Sequence, residues 1–187
     1  MGKIISNLAA SVDAFVTGRN PKPGSGLGDG DVLHDWYFKG DTASTVVPGL
    51  HLSEPSLSFV EGFAGRTGAV VAGRNTYDDS NGWGGGSPHP TAPLFVVSHR
   101  PAPPEATPAQ TFATSLEEAF AAARAAAGDL HVTLMGGGVL TAALSAGLVD
   151  EFIVHQVPVL LGAGRRHFRS SPLTCGSPSS KWCPRPA

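Results

Sequence analysis

The chain has 187 residues, 41% hydrophobic and 15% charged, a length and composition suited to one globular domain with room for a tail. A net charge of −2, from 13 basic and 15 acidic residues with no dense Lys/Arg cluster, argues against a nucleic-acid partner. The apolar start is interrupted by Asn7, Ser11 and Asp13, and no run of ~18 apolar residues occurs, so neither a signal peptide nor a membrane span is read and a cytoplasmic protein is expected. The only cysteines, Cys175 and Cys183, fall in the last thirteen residues, which excludes a disulfide framework or a Cys-based metal site in the body.

In chain order, residues 3–10 read as a first strand, with a bend near Asp13 before Phe15-Val16. Residues 20–30, "NPKPGSGLGDG", are a loop, and "VLHDWYF" after it fits a short helix or a strand. Ser53 followed by Pro55 reads as a helix start, with Ser53 as the capping hydroxyl and Leu57, Val60, Phe63 and Ala64 on one face. Residues 68–73 and 94–98 are short buried strands separated by the loop "NGWGGGSPHPTAP". Ser115 and Glu118 form a capping box ahead of the stripe Leu116, Ala119, Phe120 and Ala123, and Gly128 ends that helix. Residues 130–135 form a strand, 138–146 a helix stopped by Gly147, and 151–157 a strand stopped by Pro158. Strands alternating with helices predict an α/β sheet that is mostly parallel.

"LMGGGVLTAALSAGLVDEF", residues 134–152, runs a strand through three glycines into a helix. Such a turn delivers backbone N–H groups and a positive helix end to one point, and glycine lets a pyrophosphate approach the backbone; it is equally the sequence of a tight turn. Neither G-x-G-x-x-G nor a P-loop is present. Two further strand ends point the same way. "VVAGRNTYDD" presents Arg74 and Thr76, and "LFVVSHR" presents Ser98, His99 and Arg100, with His99 read as an exposed loop residue.

The segments "AASVDAFVTG" (9–18), "GRNTYDD" (73–79), "FVVSHR" (95–100) and "GGGVLTAALSAGLVDEFIVHQVPVLLGAGRRHF" (136–168), in that order, resemble the dihydrofolate reductase superfamily. They are most similar to stand-alone relatives of the reductase domain of the riboflavin-biosynthesis deaminase-reductase. The resemblance implies a dihydrofolate reductase-like α/β domain over residues 1–168, with a mostly parallel central sheet flanked by helices and incomplete toward the C-terminus. Residues 169–187, rich in proline and serine, are expected to be a disordered tail.

It implies NADPH as cofactor, a small heterocyclic, pyrimidine- or pteridine-like substrate, and a homodimer; no metal is implied. Carried over, Gly136, Gly137, Gly138 and Val139 would hold the pyrophosphate. Gly73, Arg74, Thr76 and Ser98 would meet the adenosine phosphates, with Arg74 favouring the 2′-phosphate. Ala10 and Val16 would flank the nicotinamide. Asp13 matches an Asp common in the family and is a candidate proton donor, although an Asp before a turn more often bonds its own backbone. Asp35 is a second candidate.

Departures bear on the substrate. The riboflavin reductases carry an acidic, substrate-contacting residue where this chain has Leu134, and many relatives read Ser-Leu-Asp-Gly where this chain has Ser11-Val12-Asp13-Ala14. A counterpart of the helical carboxylate with which dihydrofolate reductases grip the pteridine is not found. The alternatives are an NADPH-binding protein without turnover, a true dihydrofolate reductase, or an oligomeric scaffold.

Overall fold

The computed structural model describes residues 2–167; the expected tail, with Cys175 and Cys183, lies outside them. Eight strands and five α-helices follow in the order β1 (Ile4–Ser11), α1 (Asp35–Phe38), β2 (Thr42–Ala43), β3 (His51–Leu52), α2 (Glu54–Ala64), β4 (Thr67–Gly73), α3 (Arg74–Asp79), β5 (Leu94–Val97), β6 (Gln110–Ala113), α4 (Leu116–Ala127), β7 (His131–Met135), α5 (Gly137–Ser145) and β8 (Glu151–Val157). A 3-10 turn, Asp31–His34, leads into α1, so the ambiguous "VLHDWYF" is helical. No helix among the described residues is long and apolar enough to cross a membrane.

Six strands form one sheet in the order β6-β5-β4-β7-β1-β8, and every pairing in it is parallel. The mostly parallel sheet expected from the alternation of elements is therefore observed. Strands β2 and β3 form a separate antiparallel pair.

Alternation along the strands divides the interior into two layers. On one face Ala69, Val71, Val132 and Leu134 pack beneath Phe120 and Ala123 of α4 and Leu140 and Ala143 of α5. On the other, Val70, Ala72, Leu94 and Val96 pack against Tyr77 of α3. The neighbouring strands β4 and β7 thus hand the chain to helices on opposite faces of the sheet. A crevice opens at such a switch point, outside the strands' carboxyl ends, and it is where ligands of open α/β sheets bind.

Three sequence expectations need correction. Strand β6 was not foreseen: "QTFA" is only four residues long, runs two polar residues into two apolar ones without the alternation of a strand, and follows a proline-rich stretch. Ser53 makes no capping bond; its hydroxyl goes to Ser56 Oγ at 3.0 Å, and Pro55 removes one of the two N–H groups that a cap could have bonded. Ser115 Oγ accepts from the Glu118 N–H at 3.1 Å as a capping box requires, but the Glu118 carboxylate reaches one residue further back, to the N–H and hydroxyl of Thr114 at 2.9 and 3.1 Å.

Candidate functional site

A cavity of about 1820 Å³ runs along the carboxyl ends of the sheet strands, and Val16, Gly73, Arg74, Thr76, Ser98, Val139 and all three glycines of the 136–138 turn line it. The glycines are not equivalent. Gly136 has φ +97° and ψ 140°, and a Cβ there would lie 2.2 Å from Thr76 Oγ1. Its bareness lets the starts of α3 and α5 touch. A Cβ at Gly137 would meet the carbonyl oxygens of Arg166 and His167 at 3.2 Å and Val16 Cγ2 at 3.6 Å. One at Gly138 would meet nothing within 4 Å. Gly138 therefore faces open cavity, in the first turn of a nine-residue helix whose free N–H groups suit an anion. A Cβ at Gly73 would stand 3.9 Å from the Val139 nitrogen, so β4 closes on that same turn.

Arg74 is largely internal, its side chain 15% exposed. Its Nε pairs with Asp78 Oδ1 at 2.7 Å, and Nη1 donates to Ser98 Oγ at 3.3 Å and to the Pro101 carbonyl at 2.8 Å. Ser98 also donates to the Arg100 carbonyl at 2.8 Å and accepts from the Arg100 N–H at 3.0 Å. Arg74 and Ser98 together thus shape the loop after β5. Arg100, 54% exposed, shares the other oxygen of Asp78 at 2.8 Å. Two guanidinium groups against one carboxylate leave net positive charge here, with Arg100 the more available to a ligand. His99 is exposed, as expected, and also lines the cavity.

The candidates at the first-strand bend separate. Val16 lines the cavity; from β1 Asn7, Leu8 and Ala9 reach it but Ala10 does not, and Ala10 is buried in register with Gln156 of β8. Asp13 and Asp35 are not among the lining residues. The Asp13 carboxylate accepts from the N–H groups of Leu161 and Gly162 at 3.1 and 2.7 Å. The Ser11 hydroxyl first, then these N–H groups, hold its pKa at about 2 against the opposing effect of desolvation, so it is ionised at neutral pH. Asp35 pairs with Lys39 at 2.7 Å.

Around Asp13 the segments 12–17 and 159–167 zip together. Val12 donates to the Val159 carbonyl, Val16 to that of Arg165, and His167 to that of Ala14, each at 2.9 Å. Arg165 then pairs with the nearly buried Asp79 at the end of α3. Arg166 lies over the Phe15 ring, 4.7 Å from its centroid. Both arginines line the cavity, and sequence reasoning missed them. Their signal was two adjacent cations after "LLGAG" in a chain poor in charge.

The far end of the cavity is aromatic. His34, Tyr37 and Phe63 line it. The His34 ring meets Tyr37 edge-on at 5.4 Å, Tyr37 stacks on Trp36 at 3.9 Å, and Trp36 lies 4.7 Å from the ring of His155 on β8. Burial pushes the Tyr37 hydroxyl up to about 12 and lowers the pKa of both His34 and His155. Leu134, where relatives carry an acidic residue, is fully buried beneath α4 and α5, and its neighbours Thr133 and Met135 face the cavity instead.

Residues 2–175 match the RibD C-terminal domain. The chain belongs to that family. Among solved structures it is similar to a Shewanella sp. PV-4 protein named for riboflavin biosynthesis, with a TM-score of 0.61 and 22% identity over 92% of this chain and 86% of that one. It is also similar to dihydrofolate reductase from Enterococcus faecalis, solved with NADP(H) and RAB-propyl, with a TM-score of 0.56 and 16% identity over 90% of this chain and 78% of that one. At these identities the likeness establishes the dihydrofolate reductase-like fold. No curated protein matches the chain.

Proposed function

We propose that this RibD C-terminal domain protein is an NADPH-dependent reductase of a small heterocyclic substrate. The observation that carries the reading is the single cavity edge shared by the open first turn of α5 at Gly138 and the Arg74–Arg100 patch at the ends of β4 and β5. These residues fit the cofactor. Gly138 leaves room for a pyrophosphate against free N–H groups, and Arg100 offers a cation to a phosphate monoester beyond it. Arg74 holds Ser98 and the following loop in position, and Val16 walls the cavity beside Gly137.

NADPH, when bound, supplies the hydride. What the chain contributes is orientation and the exclusion of water. The aromatic end around Tyr37 and Phe63 suits a planar ring, and the zipped segments 12–17 and 159–167 close one wall. Asp13 acts in this reading as the clasp of that zip.

The test is a fluorescence titration with NADPH and with NADH. Gly138→Asp places negative charge at a position whose Cβ meets nothing within 4 Å, and is expected to leave the melting temperature unchanged while weakening both cofactors at least about tenfold. Arg100→Ala is expected to weaken NADPH about tenfold and NADH little. Failure of wild-type protein to bind either cofactor would reduce the glycine turn to a structural one and end the reductase reading.

A further inference from the structure

Reduction of a polarised double bond consumes a proton as well as a hydride, and the ionisable groups on the cavity wall are few. The four arginines there, Arg74, Arg100, Arg165 and Arg166, do not give up protons. Asp79 is paired with Arg165. Both ring nitrogens of His89 are engaged: Nδ1 accepts from the N–H groups of Thr91 and Ala92 at 3.2 and 2.9 Å, and Nε2 contacts the Ala64 carbonyl at 3.0 Å. His99 stands at the β5 end, beside the arginine patch. Tyr37, held near 12, is too weak an acid. Asp31 is exposed at the start of its 3-10 turn, which leaves His34 at the end of that turn, half-buried against β1.

The backbone carries His34 to the reacting end. A Cβ on Gly30 would strike the Gly18 nitrogen at 2.4 Å, and one on Gly164 would strike the Thr17 carbonyl at 2.0 Å. The turn Asp31–His34 therefore starts against Gly18, two residues from Val16, which itself abuts Gly137, while Gly164 closes on the intervening Thr17.

Resting on the reductase reading, we propose that His34 is the proton donor to the substrate. The substrate carbon of a C=N or C=O bond accepts the hydride from the reduced cofactor, which is oxidised. The electron pair of that bond moves to the nitrogen or oxygen, and this atom takes the proton of the His34 imidazolium, which is left neutral and recovers a proton from solvent. Asp31 on its own turn is the charge that acts on His34, Tyr37 on α1 meets its ring, Asp35 is turned to Lys39, and β1 carries no titratable group. Burial lowers the His34 pKa and Asp31 opposes this, so the donor form is populated as pH falls below the ordinary histidine range.

The test needs no substrate. An imidazolium beside the nicotinamide repels the cationic ring of NADP+ and leaves the neutral ring of NADPH untouched. The 2′-phosphate is common to both, so its own titration cancels in the ratio of their dissociation constants. Full-length protein is titrated with each cofactor between about pH 8 and pH 5.5. NADP+ is expected to lose about tenfold in affinity relative to NADPH as the pH falls, and His34→Gln to flatten the ratio. In wild-type protein, NMR of the His34 C2–H is expected to give a lower pKa with NADP+ than with NADPH bound, a readout independent of how the variant folds. A pH-independent ratio, a ratio unchanged in His34→Gln, or a His34 resonance indifferent to the cofactor's redox state would overturn the assignment while leaving the reductase reading standing. Absence of binding by both cofactors would remove both.

Discussion

A methyl group on Gly136 would lie 2.2 Å from Thr76 Oγ1, at a backbone φ of +97° that L residues avoid. The same methyl on Gly138, two residues on, would project into open space. The triplet thus separates a folding constraint from a ligand constraint within one turn. Gly136→Ala is expected to cost at least about 2 kcal/mol from backbone strain alone, with the Thr76 contact adding to it. Gly138→Ala is expected to be neutral or slightly stabilising, since alanine favours the helix it enters. Urea midpoints for the two variants check this. Equal losses in both would mean that the turn is packed along its whole length and has no open face for a ligand.

The left-handed turn after α3 shows how one side chain holds an element that pattern reading passed over as a loop. Asn81, Gly82, Trp83, Gly84 and Gly85 all have positive φ, from 48° to 85°, a run that glycine permits and other residues resist. Gln110 on β6 holds it in place: Nε2 donates to the carbonyls of Gly82 and Gly86 at 2.7 and 2.8 Å, and Oε1 accepts from the Tyr77 hydroxyl at 3.1 Å. Gln110→Ala strands these buried groups and is expected to cost about 2–4 kcal/mol, read as a lower urea midpoint at an unchanged slope. A loss well under 1 kcal/mol would show that water replaces the amide without penalty. Neither β6 nor this turn was legible, because each depends on the other: four residues with Gln110 inward become a strand only once the turn is there to receive the amide. Helix α4 was legible because Ser115 and the Leu116, Ala119, Phe120, Ala123 stripe are local. At the site, the Gly136–Val139 turn, Arg74, Thr76 and Ser98 could be read because each lies within one turn of a strand's end and a parallel sheet collects strand ends at one edge. Arg165 and His34 could not, since they reach the cavity only through contacts between segments distant in the chain.

Taken over the whole molecule, burial of imidazole rings sets how stability responds to acid. His34, His155 and His167 come from the turn before α1, from β8 and from the 159–167 segment, and burial lowers the pKa of each below the ordinary 6.5. A histidine with a lower pKa folded than unfolded takes up its proton more readily in the unfolded chain, so protonation favours unfolding. The contribution of the three rings is complete above pH 6.5 and is lost as the pH falls from 6.5 through their folded-state pKa values. Asp13 has the opposite sense of charge and a different window: its stabilisation is present above its ordinary 3.8 and disappears as the pH falls toward about 2. In the upper of these windows the histidines dominate. Urea midpoints are therefore expected to hold level from about pH 8 to pH 6.5 and to fall below it. His155→Gln, which keeps a hydrogen-bond donor near Asn7 but cannot ionise, is expected to make that fall shallower. A midpoint that stays level or rises as the pH drops below 6.5 would mean that the rings gain a compensating negative partner in solution, and with it that the wall carrying His34 is more polar than its packing shows.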